Sequence, residues 1–130
     1  MITDKQTENA IEFIVEKLNP MFIYFADHMA SENIFDIAYY SENSVDDYTE
    51  RLYEDMLSEI LKKPVELNNL KECDTEFAGD ILSDGENVYC KSEAEKSRYL
   101  SRMAHELEKI RIDRAILINR MKECESIYEQ

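Results

Sequence analysis

The residues best equipped for chemistry in this chain are acids. Asp46, Asp47, Glu50, Glu54 and Asp55 fall within one helical pattern, with Asp47, Glu50 and Glu54 three and four residues apart. Carboxylates at that spacing stand about 5–6 Å apart on one helix face and repel each other. A surface that keeps such repulsion presents dense negative charge, suited to a basic groove on another protein. Asp27, Glu32, Asp36 and Glu42 precede this group, and Glu59 flanks it. A second group is basic: His105 lies near Arg98 and Arg102 on the last stretch of the chain, where it and Arg102 read as solvated or paired with Glu106 and Glu108. His28 follows Asp27 at the end of an apolar segment and reads as a helix-end histidine. Cys73, Cys90 and Cys124 form no Cys-x-x-Cys, and no His pair stands at helical spacing, so neither a metal nor a cofactor is expected. Asp80 to Lys91 has Leu82 and Lys91 where a calcium loop needs acids. There is no glycine-rich phosphate loop.

The elements that must position these residues read as helices. Only two Gly and two Pro occur in 130 residues, which disfavours a loop-rich or all-β chain. Thr3 or Asp4 can cap a first helix running to Leu18, with Ile11, Ile14, Val15 and Leu18 on its apolar face. Asn19-Pro20 can end it and open another, and Met21 to Ala26 reads as a central buried helix. Ser31 can cap a short helix carrying Ile34, Phe35, Ile37, Ala38, Tyr39 and Tyr40. From Val45 to Lys62 one stripe runs Val45, Tyr48, Leu52, Met56, Ile60, with Tyr53, Leu57 and Leu61 beside it; Pro64 closes the segment. Residues 65–91 hold both glycines and read as an irregular connection.

The stretch 92–128 contains neither Gly nor Pro and opens on a Ser92/Glu95 capping box. At about 1.5 Å per residue it spans about 55 Å, against a radius of gyration of about 14 Å for a compact domain of this length. Leu100, Met103, Leu107, Ile110, Arg114, Leu117, Met121, Cys124 and Tyr128 follow a seven-residue register. Ile112, Ala115, Ile116 and Ile118 make a second stripe, so a helix apolar on two sides needs a second cover. The expectation is an all-α, single-domain bundle of four or five helices: N-terminal helices over 1–64, the connection, and a long C-terminal dimerisation helix. Leu100, Met103, Leu107, Ile110, Leu117, Ile118 and Met121 would form the homodimer interface.

Charge narrows the partners. The net charge is −14, and between Asp27 and Cys90 there are 17 acidic residues against four basic ones. Direct binding to nucleic acid or an anionic membrane is therefore not expected. No run approaches the roughly 18 apolar residues of a membrane span. The odd number of widely spaced cysteines and the acidic, amphipathic start predict a cytoplasmic protein with free thiols.

In composition the chain resembles anti-restriction and anti-CRISPR proteins, which are small, acidic and helical. That resemblance implies a non-enzymatic inhibitor occupying a basic, nucleic-acid-handling surface of a partner protein, with Asp46, Asp47, Glu50, Glu54 and Asp55 as the contact. An alternative is a coiled-coil adaptor in which the terminal helix is the functional surface. A further one comes from Arg98 and His105, six residues separating them, which is similar to the arginine–histidine signature of HEPN-type ribonucleases. There the pair would hold a scissile phosphate and handle the 2′-hydroxyl proton.

Overall fold

A computed structural model describes residues 2–27 and 34–129, with side chains through residue 122. The chain is α/β, not all-α. It runs α1 (Asp4–Leu18), β1 (Phe22–Asp27), β2 (Phe35–Tyr40), α2 (Asp47–Leu61), β3 (Val65–Asn69), α3 (Thr75–Asp84), β4 (Glu86–Cys90) and α4 (Glu93–Glu129). The four strands form one mixed sheet in the order β3-β2-β1-β4. β1 is antiparallel to both β2 and β4, and β2 is parallel to β3.

The reason lies in β1. Along a strand, alternate side chains face opposite sides of the sheet. Ile23 and Phe25 join Ile37 and Tyr39 of β2 under α1 and α2, packed with Ala10, Ile14, Leu18, Leu57 and Leu61. Phe22, Tyr24 and Ala26 point the other way with Ala38, onto Ala78 and Ile81 of α3 and Tyr99 and Met103 of α4. A strand covered on both faces is apolar at every position. That is why Met21 to Ala26 lacks strand alternation and matches the pattern of a buried helix. Its six residues and its aromatic and β-branched content suit a strand. The expected helix over Ile34 to Tyr40 is overturned for the same reason, since Phe35 to Tyr39 is wholly buried in β2.

Local chemistry sets the boundaries. Thr3 forms a reciprocal capping box with Gln6 at the start of α1. Asn19 adopts a left-handed conformation (φ 44°) as its C-cap instead of opening a second helix. Met21 N–H then donates to Tyr40 O at 2.7 Å and the chain enters the sheet. Buried Ser41 donates to Leu18 O at 2.7 Å, tying the end of β2 to the end of α1. Asp46 is the N-cap of α2, its side chain accepting from Thr49 N–H at 3.0 Å. Residues 65–91, expected to be irregular, hold two strands and α3. The β1–β4 register shifts at Ile23/Tyr24, and Asn87 donates its side-chain amide there to both Ile23 O and Tyr89 O at 3.0 Å. Lys96 of α4 donates to Asn87 Oδ1 at 3.0 Å, which fastens the start of the long helix to this bulge.

β3 is an edge strand, and α2 covers its outward amides. Val65 N–H donates to Ser58 Oγ at 3.0 Å and Leu67 N–H to Glu54 Oε1 at 3.3 Å. An edge satisfied by side chains is closed to pairing with other chains. The α2 face that does this is not the stripe Tyr48–Leu52–Met56, which is exposed (Tyr48 77%). Leu57 and Leu61 are the buried positions.

These contacts make two predictions. Leu57→Ala should lower unfolding free energy by about 2–5 kcal/mol, as expected for a fully buried leucine. Met56→Ala should change it by less than about 1 kcal/mol; denaturant titration distinguishes them. Burial, above all, raises the pKa of Glu54. A carboxyl with a raised folded-state pKa adds stability while protonated and loses it as pH rises through that value. Glu54→Gln removes the charge but keeps an acceptor for Leu67. It should therefore match the wild type at acid pH and be more stable at pH 7, by under about 1 kcal/mol for a half-exposed group. Equal midpoints across that range would contradict the assignment.

Candidate functional site

Three surfaces carry the chemistry anticipated from the sequence, and the fold separates them. The five acids do not share a face. Asp46 is spent as a helix cap, and its bonds to Thr49 hold its carboxyl below the usual range. Asp47 and Asp55 are exposed. Glu50 and Glu54 are half-buried and turned toward the sheet edge, and burial raises the pKa of both. Glu50 faces buried Tyr39, whose phenol is pushed up first by burial and then by Glu50 and Glu72. Asp47, Glu50, Arg51 and Glu54 line a cleft of about 400 Å³ with Ile34, Pro64, Val65 and Glu66. These acids serve the join between α2 and β3 before they serve any partner.

Arg98, Arg102 and His105 lie on the proximal half of α4. Arg98 pairs with Glu95 at 3.2 Å, and the Arg102 guanidinium lies 5.6 Å from the Tyr99 ring centre. Tyr99 itself is buried, tilted against Tyr40 (5.0 Å) and Phe22 (5.6 Å), with its hydroxyl donating to Leu70 O at 3.3 Å. Both arginines line a cleft of about 320 Å³ with Tyr40, Glu95 and Tyr99. His105 is exposed and does not line it. The pair needed to hold a phosphate and move a proton is not brought together. Cys73 lines the adjoining cleft, and burial and nearby acids push its thiol up to about 11, so it is no ready nucleophile. Cys73 and Cys90 are free. His28 lies outside the described residues.

The expected dimer seam divides at the middle of α4. Met103 is buried in the chain's own core, with Leu100 and Leu107 packed against the same cluster. Gly79 of α3 lets Leu107 approach so closely that a Cβ there would stand 2.8 Å from its Cδ1. Ile110 is half-buried. Beyond it Ile112, Ile116, Leu117, Ile118 and Met121 are 47–58% exposed. Ile110, Ile118, Arg111 and Arg114 line a groove of about 450 Å³ against Glu76, Gly79, Asp80 and Ser83 of α3, with Arg114 paired to Glu76. The distal half of α4 is thus an aliphatic surface bordered by arginines. The side chains of Cys124 and Tyr128 lie outside those described.

Sequence reasoning passed over Asp36, counting it only among the acids. It sits in β2 between Phe35 and Ile37, opposite Ala26 of β1 and Glu66 of β3, and is fully buried. An aspartate inside an otherwise apolar run was the available signal. Asp27 ends β1 on the other face of the sheet, ion-paired with Lys63. Among the described residues no group of three His, Cys, Asp or Glu is arranged to hold a metal ion, and no helix is long and apolar enough to cross a membrane.

Comparison with known proteins identifies the fold. The chain superposes on a chain of the toxin–antitoxin complex MntA–HepT with a TM-score of 0.77 at 13% identity, covering 92% of this chain and 98% of that one. It matches a chain of the tri-AMPylated Shewanella oneidensis HEPN toxin in complex with MNT antitoxin (TM-score 0.73, 16% identity, 89% and 98% covered). A variant MntA–HepT complex, bearing two aspartate-to-glutamate replacements two positions apart, also matches (TM-score 0.74, 13% identity, 88% and 96% covered). No curated protein matches the chain. The family model described as polymerase beta, nucleotidyltransferase matches residues 8–94. These findings overturn the acidic nucleic-acid mimic, the anti-CRISPR and anti-restriction likeness and the coiled-coil adaptor, all of which presupposed an all-helical chain. They equally displace the HEPN-type ribonuclease reading of Arg98 and His105. The chain belongs to the polymerase β-type nucleotidyltransferase family.

Proposed function

We propose that this chain is an MNT-type antitoxin: it binds a helical HEPN-type toxin and silences it, with the distal half of α4 as the principal contact. The observation that carries the reading is the exposed aliphatic cluster Ile112, Ile116, Leu117, Ile118 and Met121. It stands on a fold that superposes over nearly its whole length on chains of MNT–HEPN complexes. Scattered surface hydrophobics need no explanation, but five exposed aliphatic side chains within ten residues, spread over two sides of one helix, leave that stretch without a cover that a partner would supply. Ile116 and Leu117 lie in the middle of that stretch, and hot spots concentrate near the centre of an interface. Free Cys73 and Cys90 accord with work in a reducing cytoplasm. A second copy of the chain is the competing occupant, and the test separates the two.

The experiment is co-expression with the HEPN-type protein of the same genome, followed by purification and light scattering. A one-to-one or higher heteromeric complex is expected. The double variant Ile116→Glu/Leu117→Glu should weaken it by about 100-fold or more, or roughly 2.8 kcal/mol, without shifting the unfolding midpoint. Asp47→Lys should leave it intact. A homodimer broken by the same double variant, or a heteromer indifferent to it, would overturn the proposal.

A further inference from the structure

We infer that this chain silences its partner by stoichiometric occupancy rather than by transferring a nucleotide to it, because β2 does not offer the carboxylate pair that such transfer needs. The inference rests on the partner-binding reading above. Nucleotidyl transfer joins an acceptor hydroxyl to the α-phosphorus of a nucleoside triphosphate. A new P–O bond forms, the bond to pyrophosphate breaks, and the hydroxyl proton leaves. The divalent cations that neutralise this charge are held by carboxylates together with the substrate's phosphates, in polymerases as a pair of ions about 3.5–4 Å apart.

Within β2 the donor set does not fit that requirement, and Glu66, beside Asp36 across the β2–β3 pairing, lines the cleft against α2, which Asp36 does not reach. Residues two apart on a strand share a face, so the partner of Asp36 within β2 would be position 38. Position 38 is alanine, fully buried and packed in the cluster with Ala78 and Ile81. Asp36 has 0% of its surface exposed, so a hydrated cation has no access to it as the sheet stands. Neither residue lines the clefts beside α2, α3 or the first half of α4. Asp27 cannot complete a pair. It stands opposite Phe35, one position out of phase with Asp36, faces the α1/α2 side and is ion-paired with Lys63. A carboxylate placed at 38 would have to be buried among apolar side chains, at the cost of a buried charge. The fold keeps the family's sheet, and with it a rigid platform for α4, while β2 presents alanine where a second acid would stand.

Occupancy and catalysis differ in stoichiometry and in what they leave on the partner. The experiment mixes the purified chain with its HEPN-type partner and magnesium ATP at sub-stoichiometric and equimolar ratios, following partner activity over time. Inhibition should track the molar ratio, saturate at equivalence, and stop growing once binding equilibrates, with or without ATP. Partner separated in denaturant and refolded alone should have its unmodified intact mass and recover its activity. ATP labelled on the α-phosphate should leave no label on either protein. Inhibition that proceeds to completion at sub-stoichiometric ratio only with ATP, or an adenylyl adduct on the partner, would overturn the inference while leaving the antitoxin reading standing. Failure to form any complex would instead overturn the antitoxin reading, and the occupancy inference with it.

Discussion

Everything in this molecule depends on the two-sided burial of β1. Phe22, Tyr24 and Ala26 go to one helical layer and Ile23 and Phe25 to the other. Each fully buried aromatic or aliphatic side chain of this kind contributes about 1.5–3 kcal/mol. Because β1 pairs on both edges, with β2 and with β4, it also joins the two ends of the chain into one sheet. α4 is then anchored by its first half only: Tyr99 and Met103 sit in the core, and Lys96 holds Asn87 beside the β1–β4 bulge. The distal half of the helix takes its position from that anchor and buries little of its own surface. The exposed aliphatic residues on distal α4 are a consequence of the same arrangement that builds the core.

The sequence made the amphipathic helices legible and concealed the sheet. α1 appears at its expected place because Thr3 caps it and a polar face alternates with Ile14 and Leu18 at helical spacing. α2 is visible too, although its apolar pattern points the wrong stripe at the core. Tyr48, Leu52 and Met56 are as apolar as Leu57 and Leu61, and only the placement of β3 decides which side is covered. β1 and β2 are hidden because a strand buried on both faces has no period-two signal, and the helical and extended readings of six apolar residues are then equivalent. β3 and β4 are hidden because they are five-residue strands of mixed polarity. In those, pairing partners distant in sequence, not local propensity, determine the conformation.

The functional residues were legible to a lesser degree. The acids of α2 draw attention by number, yet Asp46 caps a helix, Glu54 satisfies a strand edge, and Glu50 lies against Tyr39. Charge counted along a sequence does not reveal which carboxylates are engaged within the fold. The heptad register of the terminal helix is real as a pattern, but its first half is intramolecular core. Leu100, Met103 and Leu107 meet α3 and the sheet, while Leu117, Ile118 and Met121 meet solvent. Asp36 carries the opposite lesson. A single acid in an apolar run was visible in the sequence, but its complete burial between Phe35 and Ile37 in β2 was not.

The measurement that bears most directly on partner binding through distal α4 is hydrogen–deuterium exchange by mass spectrometry, on the chain alone and in complex with its HEPN-type partner. The core strands β1 and β2 should be protected in both states. Partner-dependent slowing should concentrate in the distal half of α4, residues 111–122, where little of the helix is covered by its own chain. Slowing confined to α2 and its acidic residues, or unchanged exchange along α4, would contradict it.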